Sequence, residues 1–136
     1  MFDGLAKYSP QFLAVLRIMA ALLFVQHGTQ KLFGFPPMPA GMEAPPGMDP
    51  LMLTAGILEL VGGLLLALGF LTRPAAFILS GQMAVAYFMG HAPMGFFPAT
   101  NMGDAAILFC FVFLYLVAAG PGAWAIDNAG AERRSS

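Results

Sequence analysis

Residues 51–71 read LMLTAGILELVGGLLLALGFL, an apolar run of 21 residues in which Glu59 is the one ionisable side chain. A segment of about 20 apolar residues is long enough to cross the hydrocarbon core of a bilayer as a helix. A carboxylate at that depth costs at least about 2.5–3.5 kcal/mol, so it is expected to pair with another group, line a wet cavity or do chemistry. This stretch therefore predicts a membrane helix that carries a polar group into the protein interior.

Three further apolar runs have the same character. They extend over about 12–33, 74–90 and 103–119. Each run is continuous and lacks the period-2 alternation of barrel strands, so each predicts a helix. Only Thr72 and Arg73 separate the second run from the third, which predicts a tight antiparallel pair. We expect an all-α protein: a single transmembrane domain folded as an integral membrane four-helix bundle.

The overall composition agrees with a membrane protein and excludes several other classes. The chain has 136 residues, of which 59% are hydrophobic and 10% charged, and its mean hydropathy is +0.77. A net charge of −1 and a pI near 6.0 leave no basic surface for nucleic acid. The single cysteine, Cys110, excludes an internal disulfide, a CxxC redox pair and a cysteine-based zinc site.

The distribution of lysine and arginine predicts the orientation in the membrane. The basic residues near the two termini and in the second loop are Lys7, Arg73, Arg133 and Arg134. By the positive-inside rule both termini face the cytoplasm, with Arg73 as a topology anchor and Lys31 at the opposite interface. The Pro/Gly-rich segment 34–50 is then an external loop, and residues 128–136 are expected to form a flexible cytoplasmic tail.

Polar residues from several spans are predicted to meet inside the bundle, as a funnel open to the outside. His27 and Lys31 lie four residues apart and share a helix face. Arg17 is expected to reach Glu59 with its long side chain, as a structural ion pair that fixes helix register. The expected ligand-binding or proton-relay cluster comprises His27, Glu59, Gln82, His91, Asn101 and Asp104.

Each of these residues also has a purely structural interpretation. His27 and His91 are either satisfied core histidines or proton relays, since imidazole titrates near physiological pH. Gln82 is expected to hydrogen-bond across helices rather than to bind a ligand. Two histidines with Asp104 are chemically able to hold a metal or haem, but no HxxxH or CxxCH motif is present, so no metal site is predicted.

Four motifs, in order and with matching spacing, resemble the DoxX family. The segment 27–34, HGTQKLFG, is similar to that family's HGxxKLFG end of helix one. The segments 59–63 (ELVGG) and 68–76 (LGFLTRPAA) resemble its ExxGG…LGxxTRxAA stretch. Residues 91–104 resemble its H…GFFP..NGGE segment, and Gly120-Pro121-Gly122 with Asp127 resembles its closing GPG…D. The resemblance covers about residues 17–127.

The chain departs from the family pattern at three positions. Asp104 stands where the family usually has glutamate, which keeps the charge and shortens its reach. Met102 replaces a glycine, and Ala125 replaces a residue that is commonly serine. The resemblance implies a four-helix protein of the bacterial inner membrane. It also implies a polar set, which is Arg17, His27, Lys31, Glu59, Arg73, His91, Asn101 and Asp104.

Two functions from different classes follow, together with a third interpretation. Some relatives associate with quinone-linked oxidation of sulfur compounds or with thiol-homeostasis complexes, so the resemblance favours a quinone-interacting or docking subunit of a membrane redox system. The chain carries no cofactor motif of its own, so its cofactor would be a bound quinone. Its partners would be lipid, an oxidoreductase subunit and further copies of the chain. The alternatives are a small solute or proton transporter and a scaffold without a ligand.

Overall fold

The computed structural model describes residues 3–40 and 49–135, and every regular element in these ranges is helical, as predicted. A 3₁₀ turn, Asp3–Tyr8, precedes the first helix. A π-helical turn, Tyr87–His91, and a 3₁₀ turn, Ala92–Met94, continue the third. The α-helices are α1 (Ser9–Phe33), α2 (Pro50–Leu68), α3 (Thr72–Ala86), α4 (Pro98–Asn101), α5 (Asp104–Ala119) and α6 (Ile126–Ser135).

Two helical segments are long and apolar enough to cross a membrane. These are Asp3–Phe33, which comprises the first turn and α1, and Pro50–Leu68, which is α2. Helix α5 is apolar but shorter, with 16 residues. Helix α3 reaches the length of the predicted third span only together with the π-helical turn that follows it. The use of all four segments as membrane crossings stays a prediction.

The C-terminal residues, predicted as a flexible tail, have regular secondary structure. They form α6, which begins at Ile126 and continues to Ser135. The first turn of this helix is tied down, because the backbone N–H of Asp127 donates to the carbonyl of Gly69 over 2.9 Å. Residues 128–135 are thus helical, and their flexibility stays a prediction. Composition alone did not reveal this tether. Of the predicted external loop 34–50, residues 41–48 lie outside the described part of the chain.

Helices α1 and α2 form the closest pair, because glycines remove side chains where they cross. A Cβ atom added to Gly28 would lie 2.6 Å from the backbone nitrogen of Leu60. One added to Gly63 would lie 3.1 Å from the carbonyl oxygen of Ala21. Only glycine allows two backbones to approach this closely. The crossing fixes the register that places Lys31 beside Glu59.

Aromatic and small residues bury the contact of α5 with α1 and α3. The ring of Phe24 on α1 meets those of Phe113 and Phe109 edge-on, with centroids 4.7 and 5.0 Å apart. The Ser80 hydroxyl of α3 donates to the carbonyl of Cys110 on α5 over 2.8 Å, so this polar group is satisfied across the two helices. Next to this core, toward the loops that follow α1 and α3, a cavity lies between the helices.

Candidate functional site

A cavity of about 500 Å³ lies between α1, α2, the end of α3 and the start of α5. Most of its lining is apolar, and Phe24, Met83 and Phe109 belong to it. This size and character are typical of small-molecule pockets, which are mainly apolar with a few convergent polar groups. Its charged and polar lining residues are His27, Lys31, Glu59, Gln82 and His91.

Glu59 is the centre of the polar group and is 3% exposed. The ammonium nitrogen of Lys31 donates to both of its carboxylate oxygens, over 2.9 Å to Oε1 and 2.7 Å to Oε2. The side-chain nitrogen of Gln82 donates to Oε1 over 3.0 Å and to the carbonyl of Ala55 over 3.3 Å. Three donated bonds and an adjacent cation make a buried carboxylate tolerable in its ionised form.

The predicted pair of Arg17 with Glu59 is wrong, because Lys31 takes that place. Arg17 does share a helix face with Lys31, but the 14 residues between them correspond to about 21 Å along the axis at ~1.5 Å per residue. Arg17 therefore lies toward the other end of the bundle. Lys31, which we expected at the interface, instead turns inward to the cavity and is 21% exposed.

Arg17 is fully buried and holds the C-terminal segment, defined here as residues 120–127. Its guanidinium donates to the carbonyls of Pro121 over 2.8 Å and Trp124 over 3.0 Å. The backbone N–H of Ala123 donates to the carbonyl of Pro10, which closes the same segment over the start of α1. Sequence analysis missed this role, although the GPG…D motif marked the segment.

Asp127 completes this second cluster by capping α3. Its carboxylate accepts the backbone N–H of Leu71 over 2.9 Å and that of Thr72 over 3.0 Å. Burial acts to raise the pKa of Asp127, but the Thr72 and Leu71 N–H groups and the charge of Arg17 outweigh it, so the pKa lies below its usual value. The cluster therefore stabilises the α2–α3 turn and the C-terminal segment together.

His91 links the cavity wall to the loop before α5. Its Nδ1 lies 3.0 Å from the backbone oxygen of Asn101, and its ring stacks on Tyr87 with centroids 6.5 Å apart. Asn101 is fully buried. Its side chain bridges the loop, donating to the Gly95 carbonyl and accepting from the Gly103 N–H, each over 2.8 Å.

The predicted cluster is thus brought together only in part. His27, Glu59, Gln82 and His91 line the cavity, whereas Asn101 contributes its backbone to His91 and is not itself a lining residue. Asp104 is exposed in the first turn of α5, also outside the lining. Within residues 3–40 and 49–135, no three His, Cys, Asp or Glu side chains come together in a way that would hold a metal ion.

His27 and Arg73, two further residues of the predicted polar set, differ in their contacts. The His27 ring borders the cavity and receives no hydrogen bond from the described residues, so both of its ring nitrogens are available to a ligand. Arg73 donates to the last carbonyls of α5, those of Val117 and Ala118. A cation at a helix C-terminus is favourable there, and its role as a topology anchor stays a prediction.

The regular elements of the described residues are all helical, and the ion pair of Glu59 with Lys31 lines the apolar cavity between them. The DoxX family model matches residues 12–92. The chain therefore belongs to the DoxX family, as the motifs predicted.

Three relatives have names or sources that bear on this class. An uncharacterized protein of Haemophilus influenzae is 50% identical over 129 residues, which cover 93% of this chain and 96% of the relative. The inner membrane protein YqjF of Escherichia coli is 34% identical, covering 84% and 88% of the two chains. The inner membrane protein YphA of E. coli is 28% identical, covering 88% and 90%. No solved structure matches the chain.

Proposed function

We propose that this DoxX protein binds a lipid-soluble quinone in the cavity and acts as a quinone-interacting subunit of a membrane redox system. The observation that carries the proposal is the Glu59–Lys31 ion pair in the lining of a mostly apolar cavity. A quinone combines an apolar ring and tail with two oxygens that need hydrogen-bond partners. The cavity supplies both environments within one space of about 500 Å³.

The polar residues are placed to hold a ring oxygen. Lys31 has three N–H donors and uses two of them on Glu59, so one remains for a ligand oxygen. His27 stands at the cavity edge with its ring nitrogens unbonded by the described residues. Glu59 and the two histidines are groups able to move protons when a quinone changes its oxidation state.

The proposed topology sets the depth of the cavity in the membrane. We place four segments across the bilayer: α1, α2, α3 with its π-helical turn, and α5, with both termini in the cytoplasm. The cavity then lies in the outer half, beneath the loops that follow α1 and α3. A C-terminal fluorescent-protein fusion tests this arrangement, because such a fusion fluoresces in the cytoplasm and stays dark when exported.

Electrons would come from a partner protein. The sequence contains no flavin, nicotinamide, haem-attachment or iron–sulfur motif. The chain would hold the quinone and dock a soluble or membrane oxidoreductase. Several copies of the chain would also associate as a homo-oligomer. Gentle detergent extraction followed by affinity purification would recover that partner.

Titration of the purified protein with a short-tailed quinone in lipid nanodiscs tests the binding proposal. Ala86 lines the cavity, so Ala86→Leu is expected to weaken binding by filling it. Asp104→Asn is the matched control, because Asp104 is exposed and lies outside the lining. Saturable binding that is lost in Ala86→Leu and kept in Asp104→Asn supports the proposal.

Two results would contradict the proposal. The first is the absence of saturable quinone binding in the wild-type protein. The second is binding that Ala86→Leu leaves unchanged. Solute or proton flux in proteoliposomes, lost on Glu59→Gln in a protein that binds no quinone, would instead support transport.

A further inference from the structure

On the basis of the proposed function, we infer that the cavity binds the reduced quinol in preference to the quinone, and that His91 is the residue that distinguishes them. The hydrogen bond between His91 and the loop carries this inference. A carbonyl oxygen only accepts hydrogen bonds, and the partner of His91 Nδ1 is the carbonyl oxygen of Asn101, 3.0 Å away. Nδ1 must therefore carry a proton.

The tautomer of His91 sets what its other nitrogen does. In a neutral imidazole with a protonated Nδ1, Nε2 is an acceptor only. Asn101 lies outside the cavity lining, whereas His91 belongs to it. The Nδ1 position is thus occupied by the loop, and Nε2 is the nitrogen that remains for a ligand. The group that it binds must be a donor.

A hydrogen-bond acceptor on the protein distinguishes the two oxidation states of the ligand, whereas a hydrogen-bond donor does not. The oxygen of a quinone carbonyl and that of a quinol hydroxyl both accept a hydrogen bond, so the free N–H of Lys31 binds either form. Only the hydroxyl of the quinol donates. An acceptor at the ligand position therefore favours the quinol, and a donor favours neither form.

A second cavity residue has the same acceptor character. Both hydrogen-bond partners of the Gln82 side-chain nitrogen, the Glu59 carboxylate and the Ala55 carbonyl, are acceptors, which fixes the orientation of this amide. Its oxygen is buried and has no donor among the described residues. A buried acceptor in this state is costly, and a donating ligand would relieve the cost. Gln82 thus favours the same form of the ligand as His91.

Parallel titrations with a short-tailed quinone and its quinol, under argon at about pH 8 where an ordinary imidazole is neutral, test the inference. We expect the wild-type protein to bind the quinol about tenfold more tightly, the ratio that one hydrogen bond of about 1.4 kcal/mol provides. His91→Phe keeps a ring against Tyr87 and should lower this ratio, because only the Gln82 oxygen then still favours the quinol. Asp104→Asn, at an exposed residue outside the cavity lining, is the control and should retain the preference.

A spectroscopic measurement on the wild-type protein does not depend on whether His91→Phe folds. The chain has two histidines, so ¹⁵N-histidine labelling gives two rings, and His27→Phe assigns them. We expect His91 to show a protonated Nδ1 and an unprotonated Nε2. A protonated Nε2, or equal affinity for the two forms, overturns the inference and leaves quinone binding intact. If neither form binds, the proposed function and this inference both fall.

Discussion

Replacing Lys31 by methionine tests the ion pair on which the cavity depends. The Glu59 side chain is 4% exposed and that of Lys31 is 21% exposed, so both charges are largely removed from water. Removing one partner of a buried pair typically costs 3–5 kcal/mol, because an uncompensated charge stays buried. Since Gln82 still donates to Glu59 in the variant, we expect Lys31→Met to lower the free energy of unfolding by about 3 kcal/mol.

The assay is reversible unfolding in mixed detergent micelles, followed by circular dichroism of the helices. Lys7→Met is the matched control, because Lys7 is exposed in the first turn, and we expect no measurable loss from it. Lys31→Met combined with Glu59→Leu removes both charges and should recover at least about 2 kcal/mol of the loss. A Lys31→Met protein as stable as Lys7→Met, or a double variant no better than the single one, would refute this reasoning.

Three further predictions concern the parts that hold the cavity in place. Arg17→Met should cost about 3 kcal/mol, since it removes the hydrogen bonds of a buried guanidinium to the carbonyls of Pro121 and Trp124. It should also speed amide hydrogen exchange in the C-terminal segment, and unchanged exchange would contradict it. The pKa of Asp127 is depressed in the folded protein, so its contribution to stability is present above the unfolded-state pKa of about 3.9 and is lost as pH falls through the folded-state pKa. Thermal melts between about pH 5 and pH 3 should therefore show a steeper loss for wild type than for Asp127→Asn, and parallel curves would argue against the cap. Gly28→Ala should destabilise the α1–α2 pair by about 2–3 kcal/mol. Gly81→Ala is the control, because the added atom meets open space there, and it should be neutral or stabilising by up to ~1 kcal/mol. Equal effects of the two variants in unfolding titrations would show that the close crossing is not needed.

The sequence was sufficient for the helices and for the part of the site that lies on adjacent helical turns. Continuous apolar runs predicted the helical segments because their length and lack of period-2 alternation leave no other fold. His27 and Lys31 were expected on one face because four residues make about one turn. Both line the cavity in the structure.

The ion-pair partner of Glu59 was beyond sequence reasoning because it depends on the register between two helices. That register is set where Gly28 meets the backbone of Leu60, which brings Lys31 to Glu59. Helix periodicity places Arg17 on a similar face without saying which cation is at the right height. Only the packing of α1 against α2 shows that Lys31, and not Arg17, lies beside Glu59.

The C-terminal contacts were missed for a related reason. The bonds from Arg17 to Pro121 and Trp124 join residues more than 100 positions apart. No local pattern reports such contacts. The split of the predicted cluster has the same origin, because the loop before α5 turns Asn101 away from the cavity and leaves Asp104 exposed.

Native mass spectrometry of the protein, extracted gently from its own membranes and compared with Ala86→Leu, tests the central claim most directly. We expect one quinone or quinol mass to accompany the wild-type chain and to be absent from Ala86→Leu, in which the cavity is filled. A wild-type chain that carries only phospholipid after incubation with added quinol, or a variant that retains the same mass, would contradict it.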